Sequence, residues 1–383
     1  MTTVIHSLEA WLAQTETWIY NQVRYLPDDI ANHVVCDRTL NLDQFPAPRL
    51  HSLCDASSLR YLWDKGLVKM RLRRHSGFLL GRIREGRADV VHSHFGNWAW
   101  RNLRTCEMGS ARHVATFYGH DASVLPATHP KWRKRYQELF ARIDRVLCEG
   151  PHMAGCVVGL GCPPEKVSVH HLGVALDQIP FRPREWVGTG PLKVLIAASF
   201  REKKGIPYAL EAMGRLRSQV PFEITIIGDA NTTPASQAEK ARILATLERS
   251  GLATGTRLLG YQTHRAVFEQ AYRHHIFLSP SVTASDGDTE GGAPVALIEM
   301  AATGMPVVSS RHCDIPEVVR DGETGLLAEE RDVDGLVQCL DRLLSNPGTW
   351  RDMAEAARTH LEREFDARRQ AEKLAEIYRA MAA

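Results

Sequence analysis

The chain has 383 residues, 44% hydrophobic and 24% charged, with a formal net charge of +2. This composition argues against a disordered or fibrous chain and against a general nucleic-acid binder, and the length exceeds what one hydrophobic core organises, so two domains are expected. No apolar run reaches the roughly 18–20 residues of a membrane-spanning helix, and the opening Met1-Thr-Thr-Val-Ile-His6 lacks the basic and apolar regions of a secretory leader, so a cytoplasmic protein is expected.

In chain order, short β-branched runs predict strands at Val4–His6, Val34–Cys36, Asp89–His92, Val114–Phe117 and Arg145–Cys148. Between the second and third lies a basic stretch, Lys65–Arg87, with interleaved Leu67, Met70, Leu72, Phe78, Leu79, Leu80 and Ile83. Such a stretch is either an ordinary basic helix face or a surface that rests on an anionic membrane. Proline and glycine then cluster without periodicity from Phe181 to Pro191, the predicted boundary between domains at 1–185 and 190–365. Beyond it, strands at Lys193–Ala198, Glu223–Ile227, Ile276–Ser279 and Pro306–Ser309 alternate with helices near Pro207–Gln219, Ser236–Arg249, His264–Arg273 and Pro294–Thr303. Apolar runs too short for helices, alternating with amphipathic segments, predict two α/β halves with parallel sheets. The last pattern, 366–383, carries Leu374, Ile377, Tyr378 and Met381 on one helical face; it either caps the second domain or crosses back to the first.

The chemistry concentrates between Asp286 and Val308. Pro294 suits a first helical turn, and Gly291 and Gly292 before it let backbone approach a ligand. A helix start offers N–H groups and a positive dipole end to a phosphate. Glu290 at its mouth and Glu299 within it are repulsive to phosphate unless they accept hydrogen bonds from sugar or ribose hydroxyls. The second cluster is Arg201-Glu-Lys-Lys204-Gly205, after a strand end, where ligands of open parallel sheets bind. Fixed cations there stabilise a diphosphate whose negative charge grows as it departs. A third strand end, Ile227-Gly228-Asp229, is compatible with a ligand loop.

On these residues the second half resembles the family 4 retaining glycosyltransferases of the GT-B fold, especially those of exopolysaccharide and colanic-acid biosynthesis. The matching segments are Ala198–Gly205, Ile226–Asp229, Leu259–Tyr261, Glu290–Glu299, Gly304–Val308 and Ile315–Leu327. In the first half, Gln14–Gln22, Val91–Gly96 and Thr116–Asp121 resemble the family's acceptor-domain segments. The resemblance implies two Rossmann-like domains facing across a cleft, and transfer with retention from a UDP- or GDP-sugar, without a metal ion, to a saccharide or lipid-linked acceptor. It implies that Lys204 and Arg201 hold the diphosphate, Glu290 the transferred sugar and Glu299 the ribose, with Tyr261 near the base. Gly228, Gly291, Gly292, Ala293 and Pro294 would line the donor. Thr15, Glu16, Tyr118, Gly119, His120 and Asp121 would face sugar and acceptor. The sequence departs from the family pattern in three places. Eight residues rather than seven separate Glu290 from Glu299, Ser199 stands where arginine is frequent, so that its role passes to Arg201, and Tyr118 stands where many members have histidine.

Other signals carry less. Asp286-Gly-Asp288 has the form of a metal-binding Asp-x-Asp, but beside lysine, arginine and a helix end a metal would duplicate charge already present. Gly159-Leu-Gly161 is followed by Pro163-Pro164 where a dinucleotide loop needs a helix. His92 and His94 share a strand face, but no third zinc ligand is placed by sequence. Eight cysteines without a Cys-x-x-Cys pair fit reduced thiols. The expected function is glycosyl transfer in bacterial-type exopolysaccharide or cell-surface glycan synthesis, with nucleotide-sugar, acceptor and an anionic inner membrane face as partners. The alternatives are a GT-B phosphorylase or nucleotide-sugar epimerase, told apart by whether a separate acceptor is required, and a non-catalytic nucleotide-sugar-binding protein.

Overall fold

Strands rich in valine and isoleucine, buried on both faces, need helices to cover them, and only parallel α/β layers supply that cover. The computed structural model describes residues 1–13, 16–56, 58–70, 72–73 and 75–383, with the side chains of 58, 60 and 68 also outside the description. It divides into Met1–Ala175 with Asp366–Ala383 (unit 1) and Leu176–Phe365 (unit 2).

Unit 1 contains β1 (Thr2–Trp11), β2 (Ile30–Thr39), β3 (Leu50–Ser52), β4 (Val90–His94), β5 (Arg112–Phe117), β6 (Arg145–Cys148) and β7 (Val167–Val169). They form one parallel sheet in the order β3-β2-β1-β4-β5-β6-β7. Unit 2 contains β8 (Leu192–Ala197), β9 (Phe222–Ile227), β10 (Thr256–Leu258), β11 (Ile276–Ser279), β12 (Val307–Ser310) and β13 (Leu326–Ala328), all parallel, in the order β10-β9-β8-β11-β12-β13. Both sheets reverse direction of winding beside their first strand, between β1 and β4 and between β8 and β11. Such a reversal leaves a crevice at the carboxyl ends of the strands. Every predicted strand is present. The four strands that were not predicted, β3, β7, β10 and β13, have three residues each and occupy all four sheet edges.

The helix Ala367–Ala382 belongs to unit 1. Asp366 caps it through the amides of Arg368 and Arg369. Its Leu374, Ala375 and Tyr378 are buried against Val4, Val90, Val114 and Leu147, the strand residues of one sheet face. Backbone pairing of Val174 with Asp366 fixes where it starts.

Two expectations change. The segment expected as a linker, Phe181–Pro191, lies within unit 2, whose first residue is Leu176. Proline and glycine suggested an exposed tether, but Arg184 is buried and donates to the carbonyls of Ala271, His274 and Thr303, and Trp186 stacks on Trp350. The basic stretch Lys65–Arg87 is not one surface. Phe78, Leu79 and Ile83 of helix Gly77–Gly86 are packed into a core with Ile5, Val35 and Val91. Lys65, Arg73 and Arg82 pair with Asp37, Asp64 and Glu85. The exposed apolar side chains lie mostly upstream, at Leu59, Leu62, Trp63, Met70 and Leu72.

Candidate active site

The loop after β8 is built around two anchors. Phe200 is buried, and its backbone pairs with Asp229 O and Ser236 Oγ beyond β9. Gly205 has φ +63°, and a Cβ there would lie 1.8 Å from Pro280 O, so only glycine closes the turn. The turn Glu202–Lys204 is thereby pressed against the loop after β11, with Val282 N donating to Lys203 O.

That contact brings Arg201, Lys204 and Glu290 together, along with two residues the sequence reading gave no role. Lys204 Nζ donates to Glu290 Oε2 at 2.8 Å, and Ser281 Oγ donates to Oε1 at 2.8 Å. Arg201 Nη2 donates to Asp288 Oδ2 at 2.6 Å, and Lys203 Nζ to Oδ1 at 3.2 Å and to Thr289 O at 2.7 Å. Asp288 and Glu290 side chains are each only 6% exposed. Burial alone would push the Glu290 carboxyl up, but the charges of Lys204 and Lys203 and the hydrogen bonds outweigh it and hold it at about 2. Burial pulls the Lys203 ammonium down, against the pull of Glu290 and Asp288. Three cations thus meet two carboxylates at the carboxyl ends of β8 and β11, beside the switch point.

The backbone around Glu290 is held from behind. Glu290 N–H donates to His312 Nε2 at 3.1 Å, so that nitrogen is an acceptor, and His312 Nδ1–H donates to Glu330 Oε1 at 2.6 Å. Gly291 (φ +80°) and the buried Gly292 lead through half-buried Ala293 and Pro294 into helix Val295–Ala302, as the glycine pair and proline predicted. Glu299 is buried on that helix, where its Oε1 accepts from His264 Nε2 at 2.9 Å; this hydrogen bond raises the imidazole pKa. Gly228 (φ +124°) pairs with Gly260, and a Cβ on it would meet Ala198 O at 1.9 Å. Tyr261, exposed, donates its hydroxyl to Asp229 O, the carbonyl that also anchors Phe200. The residues expected on the donor side therefore lie on one connected set of loops.

In unit 1, Tyr118 and Asp121 are buried rather than presented. Tyr118 Oη bonds His94 Nδ1 at 2.7 Å, and the Asp121 carboxylate accepts from the amides of Gly96 and Tyr118 at 2.6 and 3.0 Å. Burial raises the Asp121 carboxyl pKa. Both shape the Gly119 turn (φ +111°) and leave exposed His120 as the side chain offered to solvent. Glu16 accepts from Ala13 N at 2.9 Å, and burial raises its carboxyl pKa. Thr15 lies outside the described residues.

Sheet register supplies the third histidine that sequence could not: His6 on β1 pairs with His92 on β4, and His94 lies two residues on. Among the described residues this is the grouping with metal-ligand spacing, its ligand atoms within 4.8 Å of one another. Its geometry does not suit an ion. A bound metal lies in the plane of each imidazole, yet the rings of His92 and His94, and of His6 and His94, are stacked at 23° and 19°. Five of the six nitrogens already have hydrogen-bond partners, Tyr378, Thr116 and Tyr118 among them; His6 Nε2 has none. Burial holds all three imidazoles neutral, His6 at about 3. They form a hydrogen-bonded core cluster.

Sequence reasoning missed Lys203, Asp288, His264, His312 and Glu330. Lys203 stood inside the basic cluster without a role of its own, and Asp288 in Asp286-Gly-Asp288, a metal motif set aside; the other three carried no local signal.

Comparison with known proteins agrees with this arrangement. Residues 15–178 match the family model of Glycosyltransferase Family 4, and residues 191–346 match that of Glycosyl transferases group 1. The amylovoran biosynthesis glycosyltransferase AmsK of Erwinia amylovora is 33% identical over 298 residues, 77% of this chain and 71% of AmsK. WcaL of Escherichia coli strain K12, named for colanic acid biosynthesis, is 35% identical over 257 residues, 66% of this chain and 61% of WcaL. Among solved structures, Anabaena HepE in complex with UDP and glucose superposes with a TM-score of 0.74 at 15% identity, covering 99% of this chain and 100% of HepE. The chain belongs to the family 4 glycosyltransferases and carries the two Rossmann-like domains of the GT-B fold.

Proposed function

We propose that this glycosyltransferase moves a sugar, with retention and without a metal ion, from a UDP- or GDP-sugar to a saccharide or lipid-linked acceptor. The setting is exopolysaccharide or cell-surface glycan synthesis, in the cytoplasm at the inner face of the membrane. The names of AmsK and WcaL support the setting, and the UDP and glucose held by HepE support the donor class. The observation that carries the reading is the convergence of Arg201, Lys203 and Lys204 on buried carboxylates at the carboxyl ends of β8 and β11.

A donor diphosphate takes over the cations that Glu290 and Asp288 now neutralise. Glu290, released from Lys204, accepts a hydroxyl of the transferred sugar, and Glu299 accepts from the ribose. The resemblance assigns the acceptor to unit 1, around Gly119 and His120. The acceptor oxygen bonds to the anomeric carbon as the bond from that carbon to the diphosphate oxygen breaks, and the acceptor proton passes to the departing phosphate. Arg201, Lys204 and the start of helix Val295–Ala302 stabilise the charge that develops there. Chelation by EDTA leaves turnover unchanged on this reading, because side-chain cations supply the neutralisation, and the product keeps the donor's anomeric configuration by NMR.

Lys204→Ala tests the assignment. Transfer falls by about a hundredfold or more, the scale for removing one transition-state cation, while the protein still folds, with a melting temperature lowered by the loss of the 2.8 Å pairing to Glu290. Turnover close to wild type in a folded Lys204→Ala protein would refute it. A thermal-shift screen of UDP-, GDP-, ADP- and CMP-sugars identifies the donor.

A further inference from the structure

A neutral imidazole offers one donor and one acceptor, and the groups around it set which nitrogen does which. His312, in the loop after β12, has a side chain only 1% exposed. On one side lies the Glu330 carboxylate, which can only accept, 2.6 Å from Nδ1. On the other, Nε2 faces the Glu290 N–H at 3.1 Å and the Cys313 thiol at 3.1 Å. Both of these are donors, since burial pushes the thiol up to about 12 and it keeps its proton. Two facing N–H groups would repel, so the proton sits on Nδ1 and Nε2 accepts. Glu330 is fixed in turn: its Oε2 accepts from Thr283 N at 2.7 Å and its Oε1 from Thr283 Oγ1 at 3.3 Å. Thr283 follows β11 and Glu330 follows β13, so three strand-end loops of unit 2 meet through one imidazole.

We infer that His312 and Glu330 are a positioning pair for Glu290: Glu330 holds the imidazole in the tautomer that accepts the Glu290 amide, and that bond keeps the Glu290 carboxylate where it meets the transferred sugar. The inference rests on the donor reading above. There the diphosphate draws Lys204 away, and the carboxylate loses one of its two hydrogen-bond partners, keeping Ser281. The amide bond to His312 uses none of the cations that the diphosphate claims, so it persists when the donor binds. Nor does the pair hold those cations, since Arg201 and Lys203 are oriented by Asp288. It governs the rate of transfer and leaves nucleotide affinity alone.

Two substitutions separate the two nitrogens. In His312→Asn the side-chain amide nitrogen takes the place of Nδ1 and serves Glu330, but nothing accepts from Glu290. In His312→Gln the carboxamide oxygen reaches the place of Nε2 and accepts from Glu290. We expect kcat to fall about ten- to a hundredfold in the first and to stay within about threefold of wild type in the second, with UDP or GDP affinity unchanged in both. Glu330→Gln leaves His312 itself intact. Its carboxamide oxygen turns to the Thr283 N–H, its NH₂ then faces Nδ1, the imidazole proton moves to Nε2, and kcat falls as in His312→Asn. Imidazole 15N NMR of the full chain, with His312 assigned by its absence in His312→Gln, should show a protonated Nδ1 in wild type and a protonated Nε2 in Glu330→Gln. If neither histidine variant folds, the signal that moves between wild type and Glu330→Gln, together with its kcat, carries the test. Wild-type kcat in His312→Asn or Glu330→Gln, a His312→Gln no better than His312→Asn, a protonated Nε2 in wild type, or nucleotide affinity lost in step with kcat would each overturn the inference. Lys204→Ala is assayed alongside, because near wild-type turnover there defeats the donor reading whatever the His312 variants do.

Discussion

Asp288 holds two cations on one carboxylate, Arg201 through Oδ2 and Lys203 through Oδ1. Its own amide is tied to Asp286 Oδ1 and its carbonyl to Ala284 N, so its place is set by backbone. On the proposed function it is a positioning residue that aims Arg201 at the diphosphate. In Asp288→Asn the amide oxygen serves only one of the two cations and the NH₂ faces the other. We expect kcat to drop by about ten- to a hundredfold. UDP or GDP binding should not weaken, because the site gains one net positive charge. In an Arg201→Ala background the same change should cost no more than about threefold further; equal losses in both backgrounds would show a merely structural role. Glu290 offers a pH test. Its carboxyl lies at about 2 against an ordinary value of 4.5, so between these values the unfolded chain binds the extra proton. The stability from its lysine pairing is complete above about pH 4.5 and is lost as pH falls toward 2, on the order of 3 kcal/mol. Stability of Glu290→Gln, followed by denaturant unfolding across that window, should vary with pH by about one proton less than wild type.

Among the elements, the turns do as much as the strands. The chain leaves β9 through Gly228 at φ +124°, with Ala198 O where a Cβ would be. Gly228→Ala should lower unfolding free energy by at least about 2 kcal/mol in urea titrations, and a midpoint equal to wild type would contradict the forced conformation. Which elements could be foreseen follows from their length and burial. β8, β9, β11 and β12 are buried runs of four to six residues flanked by Gly, Pro or Ser, and their apolar content is visible locally. The edge strands β3, β7, β10 and β13 have three residues each, too few for any period to register. The helix entered through Gly291–Pro294 was legible because proline and glycine act within one turn. The outward placement of Leu59, Leu62 and Trp63 on helix Ser58–Lys69 was not, since a pattern of apolar residues does not state which of them is buried.

Across the whole molecule, the 366–383 helix shows the limit most plainly. Its apolar face was evident from Leu374 and Tyr378, but either sheet could have received it, and the pairing of Val174 with Asp366 decides for unit 1. The boundary moved from the Pro- and Gly-rich segment to Ala175–Leu176 because Arg184 and Trp186 find buried partners in unit 2. The sequence by itself determined the α/β class, the inner strands, and the two loop clusters that carry Arg201, Lys204 and Glu290, since each rests on spacing within a dozen residues. Only the tertiary structure decided what those residues touch. Lys204 meets Glu290 across 86 positions and His264 meets Glu299 across 35. The register of β1 on β4 puts His6 beside His92. Such pairings are set by strand order, and no local pattern of side chains encodes which strands lie next to one another.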